Sequence, residues 1–456
     1  MKQTFLFIFL AACFALKGQV DSTEVKMVSK KGWGIPALEI TGLNILVNRF
    51  DLWALGAEFA RVSPATWKEN LKTGFVSDGD PFSTNFFAHP YHGAAYYNAA
   101  RSLGYSYFES IPFTIGGSLM WEFFGENEPA SEIDINTTVL GGVYLGEMTN
   151  RLSRLLLRDH KVRSNKFLRG FAATLINPMV QMNSIFYDDT SDSFKGSKQT
   201  PFPLISQLSF GFAMPTKESE LANATRRFHL NFGMLYGNIF TDKKFKPFDA
   251  FVLRSWLDIT PAKADKPAFL NITSHAALFR KLINDDSVIS FSQHYDFLEN
   301  QVFKLGSMAF SIDYNKRIRF DEFQFRGIAQ LGIIGFGSSS SDVVEAIKEQ
   351  VPDEFIKDYV YGRGYLFKLE YLINTKRFGR LTSIYNHWFI KTENFVKGSE
   401  RKAYLQFKYY YPIMKNTSIG LEFFNYERHA GYEEVPSFED INTTYQEVKF
   451  LLAIIL

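Results

Sequence analysis

A polar cluster interrupts the segment NFFAHPYHGAAYYNAARSLGY and the helix-like segments that follow it. His89 precedes a proline, Glu122 and Glu126 lie four residues apart, and Asp134 follows in the segment ASEIDINTT. Residues four apart share one face of a helix. If the helices form a bundle, these four side chains converge at one end. An imidazole beside carboxylates could then perform general acid–base catalysis.

The same side chains have two other interpretations. Imidazole and carboxylates can bind zinc, iron or manganese, so a divalent metal is one alternative, although the sequence requires no cofactor. Ser131 and Asp134 are also residue types that cap helices, and Arg101 could pair with an acid to join two helices. The sequence contains neither an H-E-x-x-H motif nor a cysteine cluster. Structural or partner-binding roles are therefore favoured over catalysis.

A second constellation lies in the C-terminal half, where Ser290, Ser292, His294 and Asp296 alternate along one segment. Serine, histidine and an acid could form a hydrolase triad, as in outer-membrane phospholipases. Three such residues on one strand would lie side by side, however, rather than in hydrogen-bonded order. Polar side chains are also expected inside a barrel. The triad is therefore the weaker interpretation.

The first cluster lies in a region, residues 33–185, whose patterns predict helices. Ser63 and Pro64 predict one helix start, and Pro90 predicts another that runs to Gly104, with His89 extended before the proline. Further helices are expected over residues 106–125 and 131–158. Small residues predict close helix contacts: Gly93, Ala94, Gly116, Gly117, Gly142 and Gly146.

From about residue 200 the apolar pattern changes to a period of two, which predicts strands. Segments such as GYLFKLEYLIN place aromatic and aliphatic residues on one face and charged residues on the other. Twelve such segments are expected to begin near residues 202, 226, 248, 267, 286, 302, 318, 358, 379, 400, 416 and 443. Long and short connections alternate between them, with the connection after the fifth strand as a short exception. This pattern predicts a transmembrane β-barrel of about twelve antiparallel strands, residues 200–456.

Composition supports an envelope location. The chain has 456 residues with 50 Lys and Arg against 48 Asp and Glu, and this balance does not indicate nucleic-acid binding. Aromatic residues make up 16% of the chain, which is typical of proteins that face lipid. The sequence MKQTFLFIFLAACFALKGQV predicts a signal peptide over residues 1–19. Lipidation of Cys13 is the less favoured alternative.

The segment that carries His89 resembles the bacterial family known as domain of unknown function 3943. The resemblance covers about residues 75–160 and rests on Asn85, His89, Pro90, Gly93, Trp121, Glu122, Pro129, Ser131, Asp134, Gly141 and Gly142. It implies an envelope protein of a Gram-negative bacterium and carries no established activity. It favours His89 and Glu122 over His92 as site residues. It also marks Asn85, Trp121 and Ser131 as binding or structural positions.

The sequence therefore predicts an α+β membrane protein in the outer membrane, in which a helical domain precedes the barrel. The helical domain is expected in the periplasm or inside the lumen. Outer-membrane lipid is the expected partner, and a periplasmic protein could also bind. Two functions stay open: a non-enzymatic channel, lipid-handling protein or scaffold, which is favoured, and a hydrolase of lipid or envelope glycan that uses His89, Glu122, Glu126 and Asp134.

Overall fold

The computed structural model describes residues 30–77, 80–158, 166–187, 204–216, 226–241, 244–260, 268–340, 359–392, 397–433 and 439–455. The described helices belong to one compact unit and the described strands to another. The predicted signal peptide, residues 1–19 with Cys13, lies outside the described residues.

The described part of the helical unit contains eight α-helices. They are α1 (Gly34–Phe50), α2 (Pro64–Thr73), α3 (His89–Ser102), α4 (Tyr107–Met120), α5 (Glu132–Asn136), α6 (Gly142–Arg158), α7 (Lys166–Ile176) and α8 (Pro178–Phe186). Of the helices in the described ranges, none has the length and apolar character that a membrane crossing requires.

Local sequence signals fix where several helices begin. The Ser63 hydroxyl accepts a hydrogen bond from the Thr66 amide, and Pro64 is the first residue of α2, as predicted. Ser106 starts α4 in the same way, because its hydroxyl accepts from the Glu109 amide while the Glu109 carboxylate accepts from the Ser106 amide. Such reciprocal capping satisfies amide groups that have no partner within the helix.

Wider helical turns interrupt the predicted helices. The described residues contain four π-helical turns: Asp51–Leu55 follows α1, Thr84–Ala88 precedes α3, Trp121–Gly125 follows α4, and Thr137–Gly141 separates α5 from α6. The prediction that His89 is extended is wrong, since its backbone is helical with φ −59° and ψ −46°. Its amide donates to the Thr84 carbonyl across the π-helical turn, and this bond holds His89 in the helix despite the proline that follows.

A close backbone crossing positions the polar cluster. A Cβ atom added to Gly93 of α3 would lie 1.9 Å from the Thr138 carbonyl oxygen, and one added to Gly142 would lie 2.6 Å from the Gly93 backbone. Only glycine permits this approach. The crossing brings the start of α3 beside the turn that follows α5.

The strand unit is a closed barrel of twelve antiparallel strands, which confirms the predicted fold class. The strands are β1 (Leu204–Pro215), β2 (Arg227–Gly237), β3 (Ala250–Ile259), β4 (Ala268–Asn284), β5 (Ser287–Glu299), β6 (Lys304–Arg319), β7 (Phe323–Ser340), β8 (Tyr359–Thr375), β9 (Gly379–Thr392), β10 (Gly398–Met414), β11 (Thr417–Tyr432) and β12 (Ile441–Ile455). Each strand pairs with its sequence neighbours, and β12 pairs with β1 to close the barrel, with Gln207 opposite Ile455.

The connections distinguish the two ends of the barrel. At the end where β1 begins, which we call the short-turn end, residues 285–286, 320–322, 376–378 and 415–416 connect strands, with 238–249 as a longer exception. At the opposite end, the long-loop end, the connections include residues 216–226, 341–358 and 433–440. The connection after β5, residues 300–303, is the short exception that the sequence predicts.

Side chains alternate between the two faces of the barrel wall. On β7, Gln330 is buried inside, whereas Leu331 and Ile333 are 64% and 73% exposed on the outside. Other large apolar side chains on the outer face are also exposed, namely Phe291, Ile312, Phe407, Leu421 and Phe450. The outer surface is therefore apolar and the inner surface is polar, as the period-two pattern predicts.

An apolar cluster fills part of the barrel interior. Its buried side chains come from β3, from β5 through β12 and from the turn after β5: Trp256, Leu298, Val302, Phe303, Leu305, Ala309, Ile334, Leu366, Ile384, Trp388, Ile390, Tyr404, Phe424, Tyr426 and Tyr445. We call this set the lumen cluster. Its rings pack closely, with 5.1 Å between the ring centroids of Phe424 and Tyr426.

Candidate functional site

The helical unit assembles a compact polar cluster around His89. The Nε2 atom of His89 lies 3.3 Å from Asp134 Oδ2 and 3.6 Å from Asp80 Oδ2. His89 and Asp134 are largely buried, whereas the side chain of Asp80 is 45% exposed. The cluster is therefore buried on one side and reaches solvent through Asp80. We call Asp80, His89, Glu122, Glu126 and Asp134 the His89 cluster.

The distances around His89 suit a metal ion better than a strong hydrogen bond. Charge-assisted N–H···O bonds are about 2.7–2.9 Å long, and His89 Nε2 makes no hydrogen bond of acceptable geometry. Two ligands of a tetrahedral zinc ion lie about 3.3 Å apart, given metal–ligand distances of about 2.0 Å. One ligand atom from each of Asp80, His89 and Asp134 falls within 4.8 Å of the others. These three residues could hold a divalent cation.

Glu122 connects this cluster to the start of α5. Its carboxylate accepts a hydrogen bond of 2.8 Å from the Ser131 amide, and it is buried. Ser131 in turn caps α5, because its hydroxyl accepts from the Asp134 amide at 3.2 Å. Glu122 and Ser131 therefore fix the position of Asp134 beside His89.

Glu126 lies beside Glu122 at the end of the π-helical turn Trp121–Gly125. Its carboxylate accepts a hydrogen bond of 2.6 Å from Trp121 Nε1. Burial, followed by the charge of Glu122, raises the pKa of Glu126 to about 8. A carboxyl group that holds a proton near neutral pH can exchange that proton with a ligand.

The two histidines of this region have opposite character. Burial lowers the pKa of His89, but Asp134, Asp80, Glu122 and Glu126 outweigh burial and raise it to about 10. Burial and the charge of His89 lower the pKa of His92 to about 3. The His92 ring packs 4.6 Å from that of Tyr96 and 5.2 Å from that of Trp121, measured between centroids. His89 is therefore the cationic member of the cluster, and His92 is a neutral packing residue.

Arg101 belongs to a separate cluster around Glu147. Arg101 Nε lies 2.7 Å from Glu147 Oε2, Arg151 Nε lies 2.9 Å from Glu147 Oε1, and the Tyr97 hydroxyl donates to Oε2 at 2.8 Å. Burial raises the pKa of Glu147, but the two guanidinium groups outweigh it and hold the pKa at about 2. We call these four residues the Glu147 cluster, which joins α3 to α6.

The structure identifies Asp80 as a member of the site that the sequence did not suggest, and it shows where Asn85 lies. Asp80 lies in the loop before the π-helical turn Thr84–Ala88, outside any periodic pattern, and only its position beside Pro81 gave a weak turn signal. Asn85 is buried within that turn. The structure thus brings His89, Glu122, Glu126 and Asp134 into one electrostatic cluster, with Asp80 as an additional acid.

The alternating residues of β5 face the lumen but do not form the hydrolase triad. Both oxygens of Asp296 accept from Lys368 Nζ at 2.8 Å, so the acid pairs with a lysine and not with His294. His294 Nε2 lies 2.6 Å from Ser311 Oγ of β6, and Ser292 donates to Asp313 at 2.5 Å. Because other strands supply the partners, the predicted order of acid, histidine and serine is not assembled.

These two units define a β-barrel protein with an N-terminal helical region. Residues 74–179 match the family described as "Domain of unknown function (DUF3943)", which confirms the resemblance predicted from the sequence. The match covers roughly a quarter of the chain and includes every residue of the His89 cluster. No curated protein matches the chain.

The barrel is also similar to solved bacterial barrels. A bacterial polysaccharide outer membrane secretin is 10% identical, with 55% of this chain and 98% of that chain covered and a TM-score of 0.23. OmpT of Vibrio cholerae is 7% identical, covering 56% and 98% with a TM-score of 0.18. A porin is 7% identical, covering 56% and 99% with a TM-score of 0.21. TM-scores this low support no functional conclusion, and the fold rests on the strand pairing above.

Proposed function

We propose that this protein is an outer-membrane β-barrel of the cell envelope that acts without catalysing a reaction. The observation that carries the proposal is the barrel wall itself, in which exposed apolar side chains cover the outside while charged side chains are buried inside. A closed barrel with an apolar outer surface is suited to lipid for two reasons. Its outward side chains are apolar, and its strand pairing leaves no backbone group of the wall without a hydrogen-bond partner. Outer-membrane lipid is then the partner of this surface.

The interior favours a narrow, ligand-handling barrel over a wide diffusion pore. The lumen cluster packs aromatic side chains across the interior, and Trp388 Nε1 also donates to Asp296 Oδ2 at 2.9 Å. Ion pairs inside the barrel further connect strands that are not adjacent: Lys368 of β8 pairs with Asp296 of β5, and Arg227 of β2 pairs with Glu447 of β12. We therefore expect little steady ion conductance from the protein in a planar bilayer.

Gel mobility tests the architecture directly. We expect the detergent-purified protein to migrate faster before boiling than after it, because a closed barrel stays compact until heat unfolds it. Equal mobility before and after boiling would contradict the barrel proposal. Large steady conductance in planar bilayers would instead contradict only the narrow lumen.

The helical unit supports a second candidate function, a hydrolase of lipid or envelope glycan. The metal-compatible spacing of Asp80, His89 and Asp134 is the observation that favours it. This function predicts bound zinc, iron or manganese in the purified protein and release of fatty acid or headgroup from outer-membrane lipid. Both should be lost in His89→Ala. An intact barrel protein with neither property would exclude the hydrolase and leave the first proposal standing.

A further inference from the structure

A cavity lies inside the barrel toward the short-turn end. Its volume is about 170 Å³. It is lined near the starts of β1, β7 and β9 by Ile205, Arg326 and Arg380, and near the end of β10 by Lys408 and Tyr410. The lining lies within the strand unit, so the cavity is a property of the barrel alone.

The charged side chains of this cavity are mainly basic. Arg254, Arg326, Arg380 and Lys408 line it together with one acid, Glu370. The remaining lining is largely apolar and includes the inward side chains of Ile205, Leu235, Val252, Ile328, Leu372 and Ile384. Four basic groups against one acid leave an excess of positive charge around a mostly apolar space.

Two of the four basic groups are already matched by acids. Arg254 Nη2 lies 2.5 Å from Glu370 Oε1, and Lys408 Nζ lies 3.8 Å from Glu422 Oε1. Glu422 is fully buried and also accepts a hydrogen bond from the Tyr410 hydroxyl. These pairs hold Arg254 and Lys408 in place without neutralising the other two basic residues.

Neither Arg326 nor Arg380 forms an ion pair with a described residue, although Glu370 attracts both electrostatically. The side chain of Arg326 makes no hydrogen bond or ion pair with any described residue, and it is only partly exposed to solvent. Arg380 donates to the side-chain oxygen of Gln207 and lies 5.4 Å from the centroid of the Tyr410 ring. A guanidinium group held in a partly buried cavity without a carboxylate is costly unless an anion pairs with it.

Access to this cavity is one-sided. The lumen cluster occupies the interior toward the long-loop end, with Val302 and Phe303 of the turn after β5 included in it. The cavity instead lies among residues near the short-turn end, and its two arginines are partly exposed. A ligand would therefore enter from the short-turn end, which faces the periplasm in outer-membrane barrels.

We propose that this cavity binds a compact organic acid, whose carboxylate pairs with Arg326 and Arg380 while its apolar body contacts the aliphatic lining. Planar guanidinium groups recognise carboxylates through paired N–H···O bonds. The volume suits a ligand about the size of benzene, which occupies an engineered apolar cavity of about 150 Å³ in another protein. The proposal rests on the barrel function above and specifies its ligand class.

Calorimetric titration of the full-length protein in detergent tests this site. Sodium benzoate is the probe, benzamide is its uncharged counterpart, and inorganic phosphate tests charge without an apolar body. We expect benzoate to bind, and benzamide and phosphate to bind at least tenfold more weakly. Added sodium chloride should weaken benzoate binding, because the interaction is between charges. These measurements need no variant, so they do not depend on whether a mutant folds.

Variants then locate the site. Arg326→Gln and Arg380→Gln should each weaken benzoate binding at least tenfold, and Arg326→Lys should retain part of the affinity. Arg401→Gln is the matched control, since Arg401 lies exposed on β10 away from the cavity. No benzoate binding, equal binding of benzamide, or equal loss in Arg401→Gln would overturn the proposal. Gel mobility distinguishes failure of this inference from failure of the proposed function. If the barrel is intact and benzoate does not bind, only this inference is contradicted.

Discussion

The helical unit contains two buried charge clusters that differ in their balance. In the Glu147 cluster, two arginines and a tyrosine hydroxyl contact one carboxylate at 2.7–2.9 Å. In the His89 cluster, one imidazole lies among four acids. The distances from its Nε2 atom to the nearest oxygens of Asp134 and Asp80 are longer, at 3.3 and 3.6 Å. In the first cluster the single carboxylate is paired at both oxygens, and in the second four acids surround one cation. A carboxylate with cations on both oxygens indicates a structural role, and several acids around one cation indicate a place for a ligand or proton.

The barrel also contains two groups of charges that differ in their pairing, but here the excess charge is positive. Lys368 and Asp296 form a matched pair whose carboxylate also accepts from Trp388. Arg326 and Arg380, nearer the short-turn end, form no ion pair in the described ranges. The excess of acid in the helical unit suits a cation, and the excess of base in the lumen suits an anion.

Removing the acid of the Glu147 cluster should have the largest effect. Glu147→Gln removes the carboxylate that pairs with Arg101 and Arg151, and breaking a buried ion pair on one side costs about 3–5 kcal/mol. Hydrogen exchange of the α3 and α6 amides in the full-length protein measures the free energy of opening.

Two further variants provide the comparison. Glu69→Gln, on the exposed face of α2, should change the opening free energy by no more than about 0.5 kcal/mol. Glu122→Gln keeps an oxygen for the Ser131 amide and removes one excess negative charge, so it should cost far less than Glu147→Gln. Equal losses in Glu122→Gln and Glu147→Gln would show that the two clusters do not differ in kind.

Breaking the helix crossing beside the His89 cluster should have the next largest effect. Gly93→Ala places a methyl group against the Thr138 carbonyl oxygen, so α3 must move away from the turn Thr137–Gly141. Overpacking of this kind costs about 1–3 kcal/mol. The matched control is Gly116→Ala in α4, where nothing lies within 4 Å and alanine improves helix propensity. Hydrogen exchange should show loss in the first variant and no loss in the second; the reverse order would contradict the described crossing.

The smallest effect should come from Glu126→Gln, and it should depend on pH. Because the pKa of Glu126 is raised from 4.5 to about 8 in the folded protein, its stabilising effect is present below pH 4.5 and is lost as pH rises to about 8. Glutamine resembles the protonated form. The variant should therefore match wild type near pH 4.5 and be more stable near pH 8, on the order of 1 kcal/mol.

The same exchange measurement checks this prediction after correction for the intrinsic exchange rate at each pH. Glu109→Gln is unsuitable as a control because its carboxylate caps α4. Glu69→Gln serves again, since it should show no such difference between the two pH values. A Glu126→Gln variant that is less stable than wild type at pH 8 would identify Glu126 as a structural residue.

The strand pattern predicted the barrel well because a period of two leaves little freedom in which residues face the lumen and which face outward. Once one face of a strand must be apolar, a shift by one residue would turn every side chain to the wrong face. The predicted strand starts therefore lie within five residues of the observed ones, including Phe323 of β7, which was expected near residue 318. The lumen cluster was not predicted, since inward apolar residues such as Trp388 are too sparse along one strand to form a pattern.

The site was less accessible to sequence reasoning. His89, Glu122 and Asp134 were found from residue type and spacing, and the glycines that bring their helices together were also identified. Asp80 was missed because a loop has no period that predicts its direction. The π-helical turns were missed because the hydrophobic pattern of a single wide turn resembles that of an α-helix, so Glu122 was placed on a straight helix and His89 was expected in an extended segment before one.

Cysteine labelling in intact cells tests the central claim, that the strand unit spans the outer membrane with its short turns in the periplasm. The only native cysteine, Cys13, lies in the predicted signal peptide. Glu433→Cys places a thiol at the long-loop end and Asn416→Cys places one in an exposed turn at the short-turn end. We predict that a membrane-impermeant maleimide labels Glu433→Cys in intact cells, and labels Asn416→Cys only after the outer membrane is permeabilised. Labelling of Asn416→Cys alone, or of neither variant, in intact cells would contradict the account.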